Sequence, residues 1–383
     1  MQEIFKQFKV KIIPSSIQRV QMDDATYFSP AYADYVSNSK LGLLNPTQGG
    51  SPQKFLEGFK KGSTSDAFSL GSAVHQLTLE PEIYELSPIV KPSGKLGNVY
   101  VKYQEYRKKG EPMEKSMILA CSDVDYYKGE IVNTSTKGMG LPARLKTAIK
   151  KVLPYALADK PEKTPDGKTL IYLTSDLYDK CVGCTNSLKS HKVIQKALNW
   201  TSSYCEDVIL CDIEVSFPKD FNDPLSEMLT TTVKVKIKID NWTIDHDLKL
   251  FVLNDLKTTG KPVQYFMGYK KQELGFLGER NEIFIPGSFQ VFHYHRQMGM
   301  YLYVLNEYVK KEFGEGYKSS ANMLVVETIA SNQANNYQVI EEHIRSGFAE
   351  FSELLKRAAY HQVKGYKNIL EFEKDGIPDD LTI

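Results

Sequence analysis

Residues 231–258 constrain the chain most. From Thr231 to Asp240 the sequence alternates strictly. Val233, Val235, Ile237 and Ile239 fall on one side of an extended backbone, and Lys234, Lys236, Lys238 and Asp240 on the other. That period of two belongs to a strand with one apolar face. A second strand-like run, Phe251–Thr258, follows a polar turn region and places Leu253, Asp255 and Lys257 on one face. A carboxylate and an ammonium thus end an apolar strand, beside a second carboxylate on its neighbour. Aspartates supply the hard oxygen ligands that Mg²⁺ or Mn²⁺ prefers, and a lysine can orient or activate a water. An ordinary hairpin with a solvated polar face would carry the same letters, so the assignment depends on the rest of the chain.

Upstream, Phe8–Ile13 is strand-like, Ser29–Pro30 can open a helix carrying Tyr32, Tyr35 and Val36, and residues 45–52 form a turn-rich break. Gln53–Lys61 reads as a short helix. Ser69–Leu79 reads as another, capped by Ser69, with Leu70, Val74 and Leu77 as its stripe and His75 beside it. A lone histidine there is more often a satisfied core or surface residue than a ligand. Residues 90–168 are the least legible, with Gly, Lys and Pro recurring between short pieces. Ser122–Asp123 and Ser175–Asp176 both look like helix caps.

Asp207–Phe217 alternates again, with Ile209, Cys211, Ile213, Val215 and Phe217 on one side and Leu210, Asp212, Glu214 and Ser216 on the other. This run is expected to pair with Thr231–Asp240. Thr258–Gly287 reads as a loop and Phe289–Phe313 as one long helix with the core stripe Met298, Leu302, Leu305, Val309 and Phe313. On that helix Gln297 and Tyr301 are one turn apart and share a face. Asn322–Ile329 is expected as a strand, Gln333–Asn336 as a turn, Tyr337–Ile340 as a short strand, and Glu341–Ala359 as an amphipathic helix. Helices, strands, a long helix, strands and a helix make an α/β sheet domain with flanking helices. The expected organisation is an N-terminal segment (1–28), a helical part of the core (29–89), an elaboration (90–200), the catalytic sheet and helices (201–360) and a polar tail (361–383).

Composition limits the function classes. The chain has 383 residues, 42% hydrophobic and 25% charged, the balance of a soluble globular protein. It holds no apolar run of about 18 residues, so no membrane span is expected. The N-terminal stretch mixes charges into its apolar residues and lacks a signal-peptide core, so a cytoplasmic location is expected. With a net charge of +1, nucleic-acid binding would need local clusters. The candidates are the Lys234/Lys236/Lys238 stripe, Lys270–Lys271 and Arg144–Lys151, each of which also suits a solvated face. Five cysteines without a secretion signal argue against a disulfide framework. Cys181 and Cys184 fall with Leu177 and Leu188 on one helical stripe, which favours buried structural cysteine over a metal site.

Taken in order, His75, Glu214, Asp240, Asp255-x-Lys257 and Gln297-x-x-x-Tyr301 lie in the stretches GSAVHQLTLEP, DIEVSF, KIKID, VLNDLKTT and HRQMGMYLY. This order resembles the PD-(D/E)XK nuclease superfamily, and within it the RecB-type and RecE-type, lambda-exonuclease-like enzymes. The resemblance implies a restriction-endonuclease-like core: a central mixed sheet flanked by helices. It implies that His75, Asp240, Asp255 and the carbonyl of Leu256 hold Mg²⁺ (or Mn²⁺), with Glu214 helping through a second metal or a water. It further implies that Lys257 positions the attacking water, and that Gln297 and Tyr301 order the site and contact DNA. Asp255 stands where lambda exonuclease has Glu, and either can ligate Mg²⁺. Relatives with an iron–sulfur cluster place three cysteines after the Gln-x-x-x-Tyr helix. This chain has none after Cys211, so no such cluster is expected. The expected activity is a Mg²⁺-dependent deoxyribonuclease, RecE-like and acting on double-stranded DNA ends in recombination or replication. An endonuclease, a single-strand or flap nuclease, and an idle DNA-binding subunit are the alternatives. Expected partners are DNA, a single-strand annealing protein or recombinase, and further copies of the chain, since relatives form rings around DNA.

Overall fold

The computed structural model describes residues 10–58, 66–126, 143–200, 202–220, 225–274 and 280–365. The chain divides into two compact units, one formed by Met1–Thr64 with Ser187–Ile383, the other by Ser65–Asn186. The strands in chain order are β1 (Val10–Ile12), β2 (Gln18–Val20), β3 (Tyr84–Leu86), β4 (Thr169–Ile171), β5 (Ser202–Pro218), β6 (Met228–Asp245), β7 (Leu250–Thr259), β8 (Tyr269–Leu274), β9 (Arg280–Ile285), β10 (Lys318–Glu327) and β11 (Ala334–Gln338).

The first unit is built on a mixed sheet in the order β1-β5-β6-β7-β10-β11, with β2 also paired to β5. β5 and β6 pair antiparallel from Ser202↔Ile244 to Pro218↔Met228. β7 pairs with β10 in parallel, from Lys318↔Leu250 to Glu327↔Thr259. A parallel pair needs a long crossover, and the segment between them supplies it with the helix Tyr294–Phe313. The alternation in the sequence is the alternation in burial. Val233, Val235, Ile237 and Ile239 join Ile209, Cys211, Ile213, Val215 and Phe217 in one core, closed by the long helix and by Glu341–Lys364. Those two helices approach closely through glycine. A Cβ on Gly347 would lie 1.8 Å from the carbonyl oxygen of His295, and one on Gly299 2.5 Å from the amide of Phe348. The opposite face of β5 carries a smaller cluster in which Tyr27, Val208 and Leu210 pack with Val20, Tyr32 and Tyr35.

The second unit is helical. Asp66–Leu79, Gly94–Lys108, Met113–Asp123, Ala143–Leu157 and most of Ser175–Ser190 belong to it, with β3 and β4 forming a two-stranded parallel pair. Its core is Val99, Tyr103, Met117, Ala120, Cys121, Leu145, Ala148 and Val152. The helix expected at Ser69–Leu79 begins three residues earlier, and it belongs here with His75, not with residues 29–58. Leu177, Cys181, Cys184 and Leu188 are all buried, and burial pushes the Cys181 thiol up to about 12, a structural cysteine.

Several local expectations change. Ser29–Pro30 opens only a 3₁₀ turn, Pro30–Tyr32, after which Val36 bridges to Val235. Ser122–Asp123 ends a helix that Met113 begins. The expected loop 258–287 contains the β8–β9 hairpin, whose charged residues obscure its alternation. The expected helix 289–313 is two helices, Ser288–Val291 and Tyr294–Phe313, broken at His293. The turn expected at Gln333–Asn336 falls largely within β11. The C-terminal helix extends to Lys364, and the tail 366–383 lies outside the described residues. Among the described residues, no helix is long and apolar enough to cross a membrane.

Candidate active site

The site forms where β6 and β7 part. Their ladder runs from Asp245↔Leu250 to Asn241↔Asn254 and stops there. The next residues on each strand are Asp240 and Asp255. Asp240 replaces the lost ladder with its side chain: its Oδ2 accepts the Leu256 amide at 2.7 Å. Behind this fork runs a row of amides, Asn241 and Asn254 buried and Asn322 half-buried. Asn254 Nδ2 donates to Asn241 Oδ1 at 2.8 Å, Asn322 Nδ2 donates to Asn254 Oδ1 at 2.9 Å, and Asn241 Nδ2 donates to Ser203 Oγ at 2.8 Å. A slip by one residue would turn these side chains to the other face and break the row, so it favours the register of β6, β7 and β10. Asp240 and Asp255, each adjacent to one of these asparagines, are placed with them.

Asp255 is 1% exposed. Its Oδ1 accepts from Gln297 Nε2 at 2.7 Å, and its Oδ2 lies 2.5 Å from Lys257 Nζ. That Oδ2 is buried without a well-aligned hydrogen bond. Lys257 Nζ also sits 3.7 Å from Asp240 Oδ2, 3.3 Å from the Leu256 carbonyl oxygen and 5.3 Å above the Tyr294 ring. Burial, and then the charge of Asp240, push the Asp255 carboxyl up to about 7 against the pull of Lys257. Burial alone would lower Lys257, but Asp255 and Asp240 outweigh it and hold the ammonium above its ordinary value. Burial also drives Tyr301 well up, and Tyr27 and both aspartates add to the shift.

Of the residues expected from sequence, the structure brings together Asp240, Asp255, Leu256, Lys257 and Gln297, with Tyr301 one helical turn beyond Gln297. His75 is half-buried on Asp66–Leu79 in the second unit. Glu214 is a correction. It pairs with Thr232 on β6, eight residues from Asp240 (232 to 240), or roughly 26 Å of strand, and it is exposed. The carboxylate beside Asp240 is Glu206 instead. The two offer oxygens within 4.8 Å of each other. In the β5–β6 register Glu206 falls opposite Asp240, between the pairs Cys205↔Asn241 and Asp207↔Ile239. Its φ of 53° interrupts the strand's alternation. Extending the β5–β6 register past Asp207 would have found it. Tyr294, whose ring faces Lys257, was likewise not among the expected residues.

The lysine stripe is also corrected. Lys236 is 6% exposed and donates to the carbonyls of Tyr27 and Tyr32 at 2.7 and 3.1 Å. Lys238 is paired with Asp24 and Glu206, both at 2.5 Å. Lys270 and Lys271 pair with Glu282 and Glu273.

The donor set fits a divalent cation. It offers two aspartates, a glutamate and a backbone carbonyl, all hard oxygens. The Asp255 Oδ2 atom is buried with the Lys257 ammonium against it, and burial together with the charge of Asp240 still favours a bound proton. The same field favours a metal ion in the proton's place. Asp240, Asp255 and the Leu256 carbonyl are the groups within the first unit that would hold it, with Glu206 beside Asp240.

No family model and no curated protein matches the chain. Among solved structures, the chain is similar to a crystal structure of a candidate exonuclease from Eubacterium rectale. The two share 11% sequence identity over 90% of this chain and 87% of the other, with a TM-score of 0.42.

Proposed function

We propose that the chain is a Mg²⁺-dependent deoxyribonuclease, a RecE-like exonuclease acting on double-stranded DNA ends in recombination or replication. The observation that carries this reading is the fork of β6 and β7. There Asp240, Asp255 and Lys257 converge from an alternating hairpin, with Gln297 braced on Asp255. The sequence order shared with PD-(D/E)XK nucleases supports it.

A bound divalent cation would supply positive charge to the scissile phosphate and ease deprotonation of the attacking water. Asp255 and Asp240 present the oxygens that hold it, and Asp240 keeps the Leu256 peptide in place through its amide. Gln297 occupies Oδ1 of Asp255 and so leaves Oδ2 facing Lys257. The ammonium of Lys257 stays charged between the two carboxylates, able to hold the water or a phosphate oxygen in line and to offset charge building on the phosphate. Tyr294 limits its swing. Glu206 takes the role expected of Glu214, holding a second ion or a water. His75, on the second unit, is assigned to the ligand set by the sequence resemblance. DNA, an annealing protein or recombinase, and further copies of the chain are the proposed partners, and the cytoplasm the proposed location.

The test is incubation of purified protein with linear and with circular duplex DNA, with Mg²⁺ and with chelator. Progressive loss of the linear molecule alone, dependent on Mg²⁺ and absent in Asp255→Ala, is the expected result. Cleavage of the circle would make the enzyme an endonuclease. No Mg²⁺-dependent cleavage of any DNA would leave a binding subunit.

A further inference from the structure

A second group of metal-ligating side chains lies apart from the aspartates. His293, His295 and Glu350, all half-buried, each present one ligand atom within 4.8 Å of the others. His293 Nδ1 is 2.8 Å from Glu350 Oε1, and His295 Nε2 is 2.8 Å from Glu350 Oε2. We propose that these three residues bind a transition-metal dication of the Zn²⁺ class, through two imidazole nitrogens and one carboxylate oxygen.

Three features point to a built site. First, the carboxylate is oriented from behind. Glu350 Oε1 accepts from Asn45 Nδ2 at 2.7 Å and from Arg296 Nη1 at 2.8 Å, and Arg296 Nε donates to Asn38 Oδ1 at 2.9 Å. Ligating carboxylates are characteristically held by such outer partners; Oε2 lies 2.8 Å from His295 Nε2 and 3.0 Å from His293 Nδ1, which also reaches Oε1. Second, the backbone is bent to bring the rings together. His293 has φ 53° and ψ 40°, at the break between two helices, where Asn or Gly would sit more easily. The two rings stand 5.4 Å apart at their centroids. Third, Gly347 lets the helix carrying Glu350 come against the His295 carbonyl, where any side chain would collide.

The ligand chemistry chooses the ion. A set with two imidazoles and a single carboxylate favours Zn²⁺, Ni²⁺ or Cu²⁺ over Mg²⁺, which prefers a set made mostly of oxygens. Arg296 already balances the charge of Glu350, so binding leans on nitrogen coordination more than on Coulomb attraction. Three protein ligands leave a fourth position open. The ion would secure the first turn of the helix whose Gln297 braces Asp255.

The experiment is Zn²⁺ binding to the full chain in a large excess of Mg²⁺, read by metal content after desalting and by the shift in Tm, with circular dichroism to check folding. One equivalent of Zn²⁺ retained by the wild type and by Asp255→Asn, with affinity falling at least tenfold in His295→Gln and in His293→Asn, is the expected result. His293→Asn suits the left-handed backbone and so guards against a folding artefact. Should either histidine variant fail to fold, the Co²⁺-loaded wild type decides. Visible bands of nitrogen-ligated, tetrahedral Co²⁺ support the site, and the weak bands of an all-oxygen octahedral ion overturn it. No Zn²⁺ retained by the wild type, Zn²⁺ lost in Asp255→Asn, or Zn²⁺ kept by both histidine variants also overturns it. None of these readouts depends on cleavage of DNA.

Discussion

Lys236 and Lys257 stand on neighbouring strands of one sheet, and both ammonium groups are largely withdrawn from water, yet their surroundings are opposite. Lys236 reaches two neutral backbone carbonyls and lies 4.4 Å from the Tyr27 ring centroid. Burial, with Lys40 adding to it, lowers its pKa. Lys257 is clasped by two carboxylates that overcome burial and raise it. A third basic group, His361, is 2% exposed and has Arg357 for a charged neighbour, and its pKa falls to about 4. Burial opposes charge at all three, so the partners decide the outcome. Carbonyls make a structural clamp of Lys236. A surplus of carboxylate makes Lys257 part of a site that still has room for positive charge. Burial, with the like charge of Arg357 added to it, keeps His361 neutral.

The sharpest way to break this comparison is to delete Lys257. On the proposed mechanism Lys257→Ala removes the ammonium that offsets the developing charge, and it is expected to cost on the order of 10²–10³-fold or more in kcat. Circular dichroism and Tm should stay close to wild type. Full activity in that variant would place the chemistry elsewhere. Next in size is Glu206→Gln, which keeps shape but removes one carboxylate from the fork. Activity is expected to fall roughly 10–100-fold, with a higher Mg²⁺ requirement. An unchanged Mg²⁺ dependence would make Glu206 only the partner of Lys238.

The structural clamp should answer differently. Lys236→Met leaves the Tyr27 and Tyr32 carbonyls short of a donor and is expected to cost about 1–3 kcal/mol in urea unfolding. Activity per folded molecule should be unchanged. A large fall in kcat at unaltered stability would put Lys236 with Lys257 instead. The neutral histidine gives the pH arm. Its folded pKa, about 4, lies below the ordinary 6.5. Above pH 6.5 both states are neutral at this residue and nothing is lost. Between 6.5 and 4 the unfolded chain takes up a proton that the folded chain refuses, so stability declines as pH falls through that window. Unfolding free energies at pH 7.5 and 5.0 should show a smaller decline in His361→Gln than in wild type, and equal declines would remove His361 from the account.

The frame of the site was legible because strand periodicity is a strong signal. The alternation Val233–Ile239 fixed the faces of β6, and with them Asp240; the spacing Asp255-x-Lys257 followed from the next strand. Helical spacing put Gln297 and Tyr301 on one face, and the resemblance alone implied that this face belongs to the site. What escaped depends on departures from regular geometry. Glu206 lies at a left-handed kink, where a period-two reading loses its phase. The break at His293 divides an otherwise continuous apolar pattern. The β8–β9 hairpin pairs lysines with glutamates across and along its strands, so its sequence looks like a solvated loop. The fate of the lysine stripe was invisible for another reason. Only tertiary packing reveals that residues 24–32 supply carbonyls and a carboxylate to two of the three lysines.

Glu214 is the smallest expected effect and the one that separates register from composition. The residue sits on the same strand as Glu206, with the same side chain, eight positions on. A reading that counts acidic residues in order treats either one as the missing ligand. The pairing Glu214↔Thr232 does not, because strand spacing puts Glu214 roughly 26 Å from the fork. Its other neighbour across the sheet is Lys11 on β1, an exposed cross-strand contact worth at most about 1 kcal/mol. Glu214→Gln is therefore expected to leave kcat and the Mg²⁺ requirement at wild-type values and to move Tm by no more than a few degrees. Measured beside Glu206→Gln under one set of conditions, it asks which carboxylate the β5–β6 ladder delivers to Asp240. A loss of activity in Glu214→Gln with Glu206→Gln unaffected would mean that the two strands pair in a different register from the one described.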